Sequence, residues 1–364
     1  MPTLNKDIKN KLLLNLGVPI IAILLSFIAG GIFILAIGEN PFTIYWIMFS
    51  QAMGTSYGWG QIIFKMTPLI FTGLAVAFAF RAGLFNIGAE GQLYIGAMMT
   101  TIAGYLFHSL PAPLLIPICL LAGFVGGGIW AAIPGVLKAK LGVHEVINTI
   151  MMNFIAMALV NYILMTHFSV PETVHTPKIG IGAHLPRLSV IIPSLKASPA
   201  NFSFFIALIA AFLCWFIIFK TRFGYEIRAS GSNPKASRFA GISVPWVTFW
   251  TFTISGGLAG LVGTNFVMGY KHYFEEGFST GVGFMGIAVA LLGQNHPTGV
   301  ILAAFLFGVL AHGGLIINVH IPKELVDILQ AIVIIFMVVV SSILKSILVA
   351  RRKRLLAEKS KGGS

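Results

Sequence analysis

Long apolar runs recur along the whole chain, at residues 19–37, 62–80, 114–136, 202–219, 300–310 and 328–340. About 20 apolar residues span a bilayer as a helix at 1.5 Å rise per residue. The runs lack the strict alternation of barrel strands. Only 10% of the 364 residues are charged, against about 25% in a soluble domain, so the chain lacks the polar atoms to cover a water-facing surface. The expected fold is an all-α integral membrane protein.

A coarse pass gives ten transmembrane helices, near 14–37, 60–80, 88–108, 113–137, 146–166, 201–219, 244–264, 279–293, 298–317 and 324–345. An even number puts both termini on one side. With the termini cytoplasmic, only Lys65, Lys178, Arg187, Lys196, Lys271 and Lys323 of the 24 basic residues fall outside. That asymmetry satisfies the positive-inside rule. The net charge of +13 is therefore a topology signal, and no nucleic-acid partner is expected. Residues 1–350 read as one polytopic domain, with an external loop at 167–200, a cytoplasmic segment at 220–243 and a basic tail at 351–364. The first apolar run is longer than a signal-peptide core and lacks a small-x-small cleavage site, so it reads as a retained helix.

In lipid, helices approach closely through small residues. Gly123, Gly127, Ala131 and Gly135 form one smooth ridge at a spacing of four, and Gly256 with Gly260 forms a shorter one. Cys119 and Cys214 both sit in apolar runs and read as small buried hydrophobes. The match of Gly281-Val-Gly283-Phe-Met-Gly286 to a dinucleotide fingerprint is discounted: it opens an apolar span, and no acid follows until Glu324.

The most telling soluble stretch is "KTRFGYEIRASGSNPKASRFAGISVP", residues 220–245. Asn233 is a good N-cap, Pro234 suits the first helical position, and Gly241 is a natural left-handed stop. A helix over 235–240 is too short to be stable alone, so it is expected to dock against something. Residues 224–243, "GYEIRASGSNPKASRFAGIS", resemble the coupling-helix region of permease subunits of ATP-binding-cassette importers in the sugar, nucleoside and branched-chain amino-acid group. "FRAGLFNIGAEGQLYIGAM" (80–98), "LGVHEVINTIMMNFIA" (141–156) and "GFMGIAVALLGQNHPTGVILAAFLFG" (283–308) are similar to further segments of that group, and the "FNIGAEGQ" form most resembles its nucleoside branch.

The resemblance implies a multi-pass permease in the cytoplasmic (inner) membrane of a bacterium, carrying a nucleoside or related small polar solute. Arg228, Gly231, Asn233, Pro234, Ala236, Arg238, Ala240 and Gly241 would form the surface that couples to the ATPase. The implied partners are an ATP-binding-cassette ATPase subunit that binds ATP and Mg²⁺, a second, nonidentical permease, and an extracytoplasmic substrate-binding lipoprotein. The chain itself has no G-x-x-x-x-G-K-[ST] P-loop, so neither an enzyme activity nor a cofactor is expected in it. The same importer class also serves simple sugars and sugar-like vitamins.

Within "RAGLFNIGAEGQLYIG" (81–96), Arg81, Asn86, Glu90 and Gln92 stand among glycines between two apolar stretches. A charge at the bilayer centre costs about 2.5–3.5 kcal/mol on insertion scales, and broken backbone at that depth needs protein or a cavity to satisfy it. Two readings remain open. Residues 85–92 are a re-entrant or half-helical turn beside the pathway, with Glu90 held by Arg81 or by backbone N–H groups; or they are a tight cytoplasmic turn with structural hydrogen bonds. For a flat base and its hydroxyls, aromatic stacking plus amide hydrogen bonds would serve. Phe85, Asn86, Glu90, Gln92, Asn153, Phe154 and Phe284 are the candidate pathway residues, while Glu145 and Asn148 suit a cap or loop contact. An ion-coupled secondary transporter would have only Glu90, Asp327 and Glu145 as relays. A membrane metalloenzyme would need a metal box that the sequence lacks.

Overall fold

A computed structural model describes residues 18–318 continuously and scattered positions from 324 to 346. Residues 1–17, most of the tenth expected span and the basic tail 351–364 lie outside the described residues. The described residues are mostly helical, and among them the only β pairing is two isolated bridges. The helices are α1 (Val18–Ala36), α2 (Pro41–Gly54), α3 (Ser56–Arg81), α4 (Ala89–Leu106), α5 (Ala112–Leu141), α6 (Glu145–Ile163), α7 (Ser203–Lys220), α8 (Arg222–Ser232), α9 (Pro234–Phe239), α10 (Val244–Gly260), α11 (Val282–Leu292) and α12 (Pro297–Ile317). Single π-helical stretches extend α6 and follow α10.

Among the described residues six helices are long and apolar enough to cross a membrane. The pair Ile23–Ala36 and Pro41–Gly54, bent by 118°, makes a seventh if it counts as one span. Two sequence expectations need correction. Helix α2 was not foreseen, because its polar Gln51 and Ser50 break the apolar run. The expected span at 279–293 is the eleven-residue α11, about 16 Å long, half the ~30 Å of a bilayer core.

Contacts divide the chain into residues 51–312 and residues 1–50 with 313–364; everything that follows lies within the first unit. Its core is made by small residues, as the ridge on α5 predicts. A side chain added at Gly127 would strike the backbone of Gly256, and one at Gly260 would strike Gly123. A side chain at Gly96 would in turn strike Gly260. Three helices, α4, α5 and α10, thus touch backbone to backbone, and dispersion between them replaces the water-driven term that lipid does not supply.

The unit has two faces. The near face holds Arg81, Lys220 and helices α8 and α9. The far face is capped by residues 169–202, which carry three 3₁₀ turns. This strap is sewn to the segment after α10 by Thr176 N–H to Phe274 O (2.8 Å), Ile179 N–H to His272 O (2.8 Å) and Leu185 N–H to Met268 O (2.9 Å).

Candidate functional site

Helix α3 ends at Arg81, and Gly83 turns the chain with a φ of +71°. The chain does not leave the bundle there. Asn86 donates to Ser255 Oγ (2.8 Å), and Ser255 Oγ donates to Ala75 O (2.6 Å). Ala75 lies six residues before Arg81, about 9 Å up α3. Residues 84–88 therefore climb back into the bundle beside α3 without helical structure, and α4 begins inside it.

From the far face a second non-helical segment, residues 272–281, descends to the same depth. There α11 starts, its Val282 O accepting from Thr72 Oγ1 (3.2 Å), about 13 Å above Arg81. The N-termini of α4 and α11 meet. Gly283 allows it, since a Cβ there would collide with the Glu90 backbone. The two helices then run in opposite directions, α4 to the far face and α11 to the near face.

Glu90 fills the junction. It is 3% exposed. Its Oε1 accepts from Ser279 Oγ (2.9 Å) and Gly281 N–H (3.3 Å), and its Oε2 from Gly283 N–H (2.6 Å). The N-cap of α11 is Gly281, which has no side chain to offer, so a carboxylate from another helix caps it. Each helix N-terminus carries roughly half a positive charge; two converging ends make a place where a buried anion is favoured. Of the two holders considered for Glu90, the structure uses backbone N–H groups. Arg81 instead donates from Nε to Asn295 O (2.8 Å).

The amides of this stretch form a closed knot. Asn86 Nδ2 donates to Gln92 Oε1 (2.9 Å), and Gln92 Nε2 donates to Asn86 Oδ1 (3.0 Å), which also accepts the Gly88 N–H (3.0 Å). Asn153 of α6 accepts the Gly91 N–H (2.8 Å) and donates to Ile87 O (2.9 Å). Two backbone amides at the start of α4, those of Gly88 and Gly91, are satisfied in this way. Asn86, Gln92 and Asn153 are buried, with both ends of each amide spent on protein. Their geometry is that of a brace for broken backbone at depth. Phe85, Phe154 and Phe284 are exposed, with Phe85 edge-on to Phe80. Glu145 pairs with Lys138 (2.7 Å) and joins the ends of α5 and α6; the Asn148 Nδ2 has no partner.

On the near face, α8 and α9 form a docked pair. Thr221 Oγ1 caps α8 by accepting from Gly224 N–H (3.0 Å), and its amphipathic face buries Ile227 and Ser230. Asn233 caps α9, accepting from the N–H groups of Lys235 and Ala236 (both 3.1 Å), with Pro234 in the first turn. The helix closes as the sequence predicts. Gly241, at φ +80°, gives its N–H to Arg238 O (3.0 Å), and Ile242 gives its own to Ser237 O (3.0 Å), the two bonds of a Schellman stop. Ala236, Arg238 and Ala240 face solvent.

Gly231 sits against the main chain of 81–83, where a Cβ would meet Arg81 O and lie 2.9 Å from Gly83 N. Arg228 donates to Ile218 O, and Arg81 and Arg228 share the Phe219 ring, at 5.3 and 5.6 Å. The docked pair is thereby clamped to the ends of α3 and α7.

Sequence reasoning missed the partners of Glu90, because Ser279, Gly281 and Gly283 lie some 190 residues away and a glycine N-cap leaves no signature. It also missed Phe239, which ends α9 and is 94% exposed. A lone aromatic in a polar capped helix was the available signal.

Residues 58–338 match the family described as branched-chain amino acid transport system / permease component. The guanosine ABC transporter permease protein NupP of Bacillus subtilis (strain 168) is 43% identical over 90% of this chain and 94% of its own. The nucleoside ABC transporter permease protein NupB of Lactococcus lactis subsp. cremoris (strain MG1363) is 38% identical, over 88% of this chain and 90% of its own. The glucose ABC transporter permease protein TsgB13 of Haloferax volcanii is 35% identical, over 88% of this chain and 87% of its own. No solved structure matches the chain. With its membrane-length apolar helices and a family match over most of its length, the chain belongs to the permease components of the branched-chain amino acid transport family, multi-pass proteins of the cytoplasmic membrane.

Proposed function

We infer that this permease forms, with a second and nonidentical permease, the passage by which an ATP-driven importer brings a nucleoside into the cell. The observation that carries this is the docked α8–α9 pair: a six-residue helix capped at both ends, exposed on one side and clamped through Gly231 to the segment that leads to Glu90 and α11. Such a helix has no use as a solvent-exposed loop. It suits the groove of a separate ATPase, which binds ATP and Mg²⁺ and moves the pair as it closes. A stroke on α9 reaches 81–83, then the junction of the two half-buried helix ends, and the passage opens alternately to either side.

The near face is then cytoplasmic, as are both termini, in a chain of ten membrane segments of which α11 is a half-length one. The distribution of basic residues supports that orientation. The strap at 169–202 becomes the landing surface for a substrate-binding lipoprotein. A nucleoside cargo is favoured by the relatives named for guanosine and for nucleosides, at 43% and 38% identity; the glucose-permease relative at 35% makes a simple sugar the second reading. Reconstituting the chain with its ATPase, second permease and binding protein, and measuring ATP-dependent uptake of radiolabelled nucleosides against glucose, decides between them. Uptake that persists without ATP would exclude the importer reading altogether.

A further inference from the structure

Residues 272–281 descend into the bundle without forming a helix, and one flank of this segment is uncovered. Glu276, Gly277 and Thr280 are exposed. Among the described residues no acceptor takes the N–H groups of Gly277, Ser279 or Thr280, and the Thr280 hydroxyl makes no hydrogen bond. The Glu276 carboxylate, exposed on the same flank, has no ion pair among them either.

This bare stretch lies deep. Val282 O meets Thr72 Oγ1, about 13 Å above Arg81. Thr280 comes before Val282 on the descent and stands at or above that level, well inside the ~30 Å core of a bilayer. Non-helical backbone at that depth is tolerated only where protein covers it or water reaches it. Hydrocarbon would leave each of these N–H groups unpaired, the costly state. A carboxylate has the same requirement.

The neighbouring space is polar where it faces this flank. A cavity of about 280 Å³ opens between α6, Tyr94 and residues 274–277. Asn161 of α6 lines it, with Oδ1 buried without a partner and Nδ2 making no hydrogen bond. A water takes about 30 Å³ in the liquid and needs two to four polar partners; Asn161, Glu276 and the Gly277 N–H can serve as such partners. A lipid chain would pair with none of them. The outward face of α7 shows the contrast: Ile209, Phe212 and Phe216 are exposed there, all apolar, on unbroken helix.

We propose that the 276–280 flank, with Asn161 across the cavity, is the wall of the outer half of the solute passage. It offers donors in the bare N–H groups, an acceptor in Glu276, and both in the Thr280 hydroxyl and the Asn161 amide. Solute hydroxyls also give and accept, and a nucleoside and a simple sugar both carry them. Ser279, within this stretch, holds Glu90, so the passage adjoins the junction of α4 and α11 that the stroke on α9 reaches.

The inference rests on the importer reading for its solute, and the experiment keeps the two apart. Glu276→Cys and Thr280→Cys are made singly in the complete importer, with Phe212→Cys as the lipid-facing control. Neither Glu276 nor Thr280 gives up a hydrogen bond on substitution, and the native Cys119 and Cys214 are buried. Methanethiosulfonate ethylsulfonate, which is charged and water-borne, is added to both sides of proteoliposomes, with and without ATP and vanadate. Both positions are expected to react at least about tenfold faster than Phe212→Cys in one of the two states, and labelled Thr280→Cys is expected to lose uptake. Either position as slow as Phe212→Cys in both states, in an assembly that still takes up its solute, overturns the inference alone; lipid or the second permease then covers the flank. Fast labelling at both supports the wall. Uptake without ATP in the same proteoliposomes overturns the importer reading and leaves the wall standing.

Discussion

Gly231 of α8 lies against the backbone of Gly83, close enough that a Cβ added to it would sit 2.9 Å from the Gly83 nitrogen. No side chain cushions this contact, so a displacement of the α8–α9 pair is passed on directly to the start of the climbing segment 84–88.

Enlarging that contact is the first test. Gly231→Leu forces side-chain atoms into the carbonyl of Arg81, an overpacking strain of about 1–3 kcal/mol. The variant is expected to co-purify with the ATPase while ATP-driven uptake falls at least about tenfold. Uptake equal to wild type in a proteoliposome assay would show that the stroke takes another route.

Glu90 is expected to be needed as a carboxylate. Removing it strands Ser279 Oγ and the N–H groups of Gly281 and Gly283, at about 1–3 kcal/mol for each buried unpaired group. Glu90→Gln keeps one acceptor and Glu90→Ala keeps none. The melting temperature in detergent should therefore fall in the order wild type, Gln, Ala. Matching values for Gln and Ala would remove the cap from the account of α11.

Phe239 should act at the ATPase and nowhere else. At 94% exposed it packs against nothing in this chain, so Phe239→Ala leaves thermal stability unchanged. As an aromatic anchor in a groove it is worth about 2 kcal/mol or more, and loss of ATPase in a pull-down should exceed tenfold. An undiminished pull-down would place the docking contact elsewhere.

The far-face strap should be sensitive to acid. His184 and His272 stack with ring centroids 3.7 Å apart, and His184 Nε2 and His272 Nδ1 are buried without partners. Burial, then the neighbouring His184, pushes His272 down from 6.5 to about 4, and the other charges acting on it are Arg187 and Lys178, both positive. Burial and Lys178 lower His184 as well. The folded strap thus holds neutral rings where an unfolded one takes up protons near pH 6.5, so stability is full above that pH and lost as pH falls toward 4. A melting temperature that drops over this window in wild type, and drops less in His272→Gln, is the expected result.

Much of this architecture was legible in the chain. The caps of α9 are local chemistry: Asn233, Pro234 and Gly241 act on neighbours within four residues, and periodicity exposed the Gly123–Gly135 ridge for the same reason. The junction at Glu90 was half legible. A carboxylate among glycines in apolar surroundings signals a buried anion that must be satisfied, but its donors come from backbone far along the chain, and backbone N–H groups are invisible in a sequence. Asn153 was read as a candidate for contact with cargo because polarity at depth suggests a lining residue. The structure gives its two amide ends to Gly91 and Ile87, which only the fold could pair.

The brevity of α11 sets an order for making the protein. Sixteen ångströms of helix cannot be handed to the lipid as an independent segment by the insertion machinery, since its leading amides would enter hydrocarbon bare. The carboxylate that receives them is translated 193 residues earlier, on a helix that leaves the ribosome before α11 does. The socket precedes the plug, and a nascent chain in which α4 is misplaced will have nowhere to lodge the later piece.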